Sequence, residues 1–254
     1  VFRRFPQTFF PAALTALTVC FACIPMQGEV FWLRPFRSGA GAAGTGSGLS
    51  AASVAELDKL PGSDGVLHKE PITVNGVKLE LLTCRSTRSL ADLTAFFQQL
   101  CPGADLSYAD RTLRVAFRRN DGMIERWLLT EAAPGMPVTA FRIISPEKLP
   151  PPGSWPGELP RLPGEARAVQ VIEFQRTGGI YGAFDRAGGD PHDRLRDIDS
   201  QLRAEGWVPA GNEAKSAIGG NGDLYLYPGE PRRVLLVSQG ENGMGGYFVR
   251  QLKK

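Results

Sequence analysis

A chain of 254 residues, 43% hydrophobic and 22% charged, carries enough apolar material for one large domain or two small ones. Low, balanced charge and frequent strand-like runs exclude disorder throughout, and a single long apolar stretch excludes a polytopic membrane protein. The net charge of +3 is carried by the first 50 residues, where Arg3, Arg4, Arg34 and Arg37 face one acid, Glu29; the other 25 basic and 25 acidic residues cancel. A neutral body argues against a nucleic-acid surface.

Residues 1–28 read as a signal peptide or membrane anchor. Arg3 and Arg4 precede an uncharged run from Phe5 to Gly28, the order of a secretory n-region and apolar core. Thr8 to Met26 would span about 28 Å as a helix, close to the hydrocarbon thickness, so the segment can also stay as one anchor. Basic residues at its start place that end in the cytoplasm and everything after about residue 28 outside it. Cleavage is left open, because no clean Ala-x-Ala site follows the core. Cys20 and Cys23 each match a lipobox in part, which adds lipidation to the alternatives, and the bland reading is a buried helix of a cytosolic protein.

Residues 29–69 follow as an interfacial segment and tether. Phe31, Trp32 and Phe36 interleave with Arg34 and Arg37, which suits a membrane–water interface or an apolar strand. Ser38 to Ser53 has no charge and almost no large side chain, so it reads as a flexible tether.

The body divides at a proline-rich linker, 147–164, within a stretch where Pro146, Pro150, Pro151, Pro152, Pro156, Pro160 and Pro163 remove amide donors and fix φ. Before it, module 1 covers 70–146. Ile72–Val74, Asn75-Gly76 and Val77–Leu81 predict a hairpin with a type I′ turn. Ser89 predicts the cap of a helix whose Leu90, Leu93, Phe96, Phe97 and Leu100 share a face, stopped at Pro102-Gly103. Strands are expected at Leu113–Phe117, Ile124–Leu129 and Val138–Ile144.

Module 2, residues 165–254, repeats the pattern. Ala168–Phe174 and Ile180–Phe184 predict a hairpin. Asp190 and Pro191 open a helix lined by Leu195, Ile198 and Leu202, with Gly206 at its end. Strands are expected at Asp223–Tyr227, Val234–Ser238 and Tyr247–Leu252. The expected fold class is α+β: two tandem ββαβββ-like modules, each an antiparallel sheet covered by one helix, after an N-terminal hydrophobic segment.

Chemistry is sparse. His68 and His192 are the only histidines, and the four cysteines offer no paired metal-ligand couples. Cys84 before the helix and Cys101 at its end lie too far apart along the axis for a bridge, so both are expected as buried free thiols. Asp190, Asp193 and Asp197 with His192 form an acid–base cluster at helical spacing, best read as a cap and first-turn acids that suit the helix dipole. Gly219–Gly222 and Gly243–Gly246 are expected as turns. No catalytic, cofactor-binding or metal residues are assigned and no cofactor is expected.

The candidate contact residues are Tyr181 and Phe184 on an aromatic hairpin, and Arg114 and Arg118 on the outer face of one strand. The expected function is that of a non-catalytic bacterial envelope protein, exported or membrane-anchored. Its modules would mediate interaction or assembly with other envelope proteins or with itself, and sheet edges are the other contact surfaces. The alternative is a periplasmic or extracellular ligand- or glycan-binding protein, or a hydrolase, using a cleft between modules. Trp127, Trp155, Trp207 and Tyr181 could then stack on sugars, although filling cores is the better reading of them.

Overall fold

Asn75 and Gly76 both adopt positive φ, 49° and 84°, the geometry that lets a two-residue turn follow the right-handed twist of its strands. They join β1 (Val66–Val74) to β2 (Val77–Ser86). The computed structural model describes residues 59–109, 111–186, 191–210, 222–239 and 244–252. The expected signal or anchor, the tether and Asp190 lie outside the described residues.

Helix α1 (Leu90–Leu100) follows β2, and Ser89 caps it reciprocally with Asp92: each side chain accepts the other's backbone N–H. β3 (Asp105–Ala109), β4 (Thr112–Arg118), β5 (Ile124–Glu131) and β6 (Val138–Ser145) complete the first half. The second half runs β7 (Arg167–Phe174), β8 (Gly179–Asp185), α2 (Pro191–Ala204), β9 (Val208–Pro209), β10 (Gly222–Tyr227), β11 (Arg233–Gln239) and β12 (Met244–Gln251). α2 ends in a Schellman motif: Gly206 at φ 87° donates to Arg203 O, and Trp207 N donates to Leu202 O.

Two separate helix-covered ββαβββ modules are not what forms. All twelve strands of the described residues join one antiparallel sheet, ordered β3-β4-β5-β6-β2-β1-β7-β8-β12-β11-β10-β9. Read inward from either end, each half has the same wiring, ββαββββ, with the extra strand (β3 or β9) at the outer edge. The halves meet where β1 pairs with β7 through Ile72↔Phe174, Thr73↔Glu173 and Val74↔Ile172. Two buried polar side chains lock this joint. Asn75 accepts from Val171 N (2.8 Å) and donates to Pro150 O (2.8 Å). Glu70, fully buried, accepts from Arg176 N and Thr177 N of the β7–β8 turn, with His68 Nε2 3.0 Å from its other oxygen.

Both helices lie on one side of the sheet. α1 buries Leu90, Leu93 and Phe97 against Leu113, Val115, Trp127, Leu129 and Ala140. α2 buries Ile198 and Leu202 against Tyr225, Leu235, Tyr247 and Val249. The register places these strand residues on one continuous face. The second face is buried as well, by one cluster drawn from both halves that includes Ile72, Leu128, Phe141, Phe174, Tyr181, Leu236 and Phe248. Strands such as β5 are therefore buried at nearly every position instead of alternating.

The proline-rich segment packs into this core. Leu159 is buried and Trp155 packs against the same cluster, edge-on to Phe184 and Tyr247. Gly182 makes the room: a Cβ there would lie 2.4 Å from the Trp155 ring and 2.5 Å from Leu159. Gly245 and Gly246, expected in a turn, belong to β12. A Cβ on Gly245 would lie 2.4 Å from the Phe184 ring, so these glycines serve close packing across the sheet.

Candidate interaction edge

Among the described residues the twelve-stranded antiparallel sheet is in open order and ends in two edges, and an unguarded edge is a template for another strand. The edges differ here. β9 is two residues long and contains Pro209, so it offers few donors. β3 is five residues, Asp105-Leu106-Ser107-Tyr108-Ala109, without proline or lysine. It pairs with β4 from Asp105↔Ala116 to Ala109↔Thr112, and no strand among the described residues pairs with its other side. Leu106 and Tyr108 lie on the helix face; Leu106 packs against the α1 core, while Tyr108 is 61% exposed. A second exposed apolar stretch, Val66 and Leu67 at the start of β1, falls on a register shift between Val66 and His68, a bulge of the kind that discourages edge pairing.

The sequence-derived contact residues are placed differently. Tyr181 and Phe184, at 3% and 0% exposure, sit in the cores of opposite faces. Arg114 is buried on the second face, opposite Leu128. Arg118 shares that face, reaches solvent and pairs with Glu147 at 2.7 Å. Alternation along β4 assigned the two arginines to one face correctly. It did not convey that this face is covered. β3 escaped the sequence reading because only Leu106 and Tyr108 break its polarity, although that alternation beside a tyrosine is a strand signal.

Other charged groups hold structure together. Glu125, fully buried, accepts from Arg142 Nε (2.7 Å) and Trp127 Nε1 (2.8 Å) on one oxygen, and from Arg119 (2.8 Å) on the other. Arg126 Nη1 donates to Ser145 Oγ at 2.6 Å in a buried setting, where desolvation lowers its pKa. On α2, Asp193 pairs with Arg196 and Asp197 with Arg186. Cys84 and Cys101 are free and buried. A cavity of about 10 Å³ lined by Leu60, Ser63, Cys84, Trp127 and Arg142 has room for no more than a water. Among the described residues no group of three or more His, Cys, Asp or Glu is placed to hold a metal, and no helix is long and apolar enough to cross a membrane.

Comparison of the chain with protein-family models, curated proteins and solved structures found no match in any of the three.

Proposed function

We propose that this protein is a non-catalytic, exported or membrane-anchored component of a bacterial envelope, and that its body engages a partner by strand addition at β3. The observation that carries the reading is the contrast between edges: β9 is short and proline-bearing, whereas β3 offers a five-residue backbone row beside an exposed Tyr108. Main-chain hydrogen bonds supply affinity in such contacts, and alternate side chains supply selectivity. Export rests on the basic and apolar N-terminal sequence. Trp127, Trp207 and Tyr181 are buried in the cores and Trp155 packs edge-on against Phe184 and Tyr247, which weighs against the glycan-binding alternative.

The test is a photo-crosslinking residue placed at Tyr108 in the full chain, expressed in its native cells, with one at exposed Ser200 on α2 as reference. The expected result is a discrete adduct at position 108, in the membrane or extracytoplasmic fraction and absent at 200. A wholly cytosolic protein, or equal labelling at both positions, overturns the reading.

A further inference from the structure

We infer that the strand added at β3 is β3 of a second copy of this chain, paired antiparallel about Ser107; the inference rests on the strand-addition reading. A two-fold axis perpendicular to the sheet keeps helix face with helix face, so the axis must pass through a residue of β3 and not between residues. β3 runs from Asp105 to Ala109, so Ser107 is its midpoint, and only an axis through Ser107 uses the whole strand. An axis at Leu106 or Tyr108 pairs three residues of it.

The Ser107 register is also chemically self-complementary. Leu106 of each copy faces Tyr108 of the other on the helix face, giving two aliphatic–aromatic cross-strand pairs. Tyr108, 61% exposed in the single chain, gains apolar cover. Ser107 faces Ser107, two hydroxyls that can bond to each other. Asp105 faces Ala109, so the two acids sit at opposite ends of the ladder and no like charges are opposed.

The fold already contains one joint of this kind. β1 and β7 fuse two six-strand arrays edge to edge, antiparallel, with both helices on one face, through three paired residues. The β3 joint would have five, with both α1 helices on the same side.

The test uses purified full chain in detergent with Cys20→Ser and Cys23→Ser, leaving the buried Cys84 and Cys101 in place. Directly opposed residues in antiparallel strands have Cα atoms about 4.5–5.5 Å apart, within disulfide range. Ser107→Cys is therefore expected to give a disulfide-linked dimer under mild oxidation, while Gln99→Cys on exposed α1 surface is not. Adding Tyr108→Lys removes both aliphatic–aromatic pairs, and should cut dimer yield about tenfold at an unchanged melting temperature.

Equal crosslinking at positions 99 and 107 overturns the inference. So does a chain that sediments as a monomer and yields no disulfide-linked dimer as the Ser107→Cys variant. If position 108 then captures a different polypeptide in cells, strand addition stands and only self-pairing fails; if it captures nothing, both fail.

Discussion

Arg142 Nε donates to Glu125 Oε1 across 2.7 Å, with side-chain exposures of 7% and 0%. The pair bridges β6 and β5 under α1, where Trp127 Nε1 shares the same oxygen and the Arg142 guanidinium lies 5.3 Å from the Trp127 ring centre. Cutting one partner out leaves a buried charge uncompensated. Glu125→Ala is expected to cost about 3–5 kcal/mol, read as a lower denaturant midpoint. Retention of the wild-type midpoint would show that the ion pair contributes nothing net.

Gly182 holds the proline-rich segment against the sheet by having no side chain. Gly182→Ala forces Trp155 and Leu159 outward, with an expected cost of about 1–3 kcal/mol from overpacking. Limited proteolysis between residues 146 and 166 should speed up in this variant. An unchanged cleavage rate would mean the segment is not held by that contact.

Burial pushes the Cys84 thiol up to about 11 and the Cys101 thiol up to about 12, from 9.0. Arg142 partly offsets the first, and Glu125 adds to the second. Because the folded values exceed the unfolded ones, the thiols' contribution to stability is fully present below about pH 9 and is lost as pH rises towards 11 and 12. Tyr181, Tyr225 and Tyr247 are shifted upward chiefly by burial and act with the same sign. Denaturant midpoints should fall between pH 8 and pH 10.5, and fall less in a Cys84→Ala, Cys101→Ala variant. Neither thiol should react with an aromatic disulfide reagent at pH 8 until denaturant is added.

Gln170 is fully buried in β7, and neither of its amide atoms has a hydrogen-bond partner among the described residues. An unpaired amide in an apolar setting costs more than it returns. Gln170→Met, similar in length and apolar, is therefore expected to raise stability by about 1–2 kcal/mol. A lower melting temperature for this variant would show that the amide is satisfied in solution.

Local features were readable where a single residue type dictates backbone geometry. Asn75-Gly76 specified its turn, Ser89 the start of α1, and Gly206 the end of α2. The strands β4, β5 and β6 were found within two residues of their limits because apolar and β-branched residues dominate them. The fusion of halves was not readable, since three pairs between β1 and β7 leave no periodic trace in Ile72–Val74 or Ile172–Phe174. Reading alternation as one buried and one open face then misplaced Arg114, and the aromatic hairpin expected as a contact surface has Tyr181 and Phe184 on opposite faces, each buried. On a sheet covered on both sides, alternation only distributes residues between two interiors. Gly245-Gly246 looked like a turn because the Phe184 ring that needs the space lies 61 residues earlier. The candidate edge was the least legible feature, because openness belongs to strand order and Leu106 and Tyr108 alone do not encode it.

With β3 pairing as proposed, the unequal outer strands would also set a stoichiometric ceiling. Among the described residues, a strip joined along its β3 border would present along the other only a two-residue strand laid over Tyr225 and Leu226, and so would favour one neighbour over many. Val208–Pro209 would then act as a hem, favouring a pair over continued edge-to-edge growth. Removing the hem by Pro209→Val and extending β9 would convert a discrete particle into a growing one.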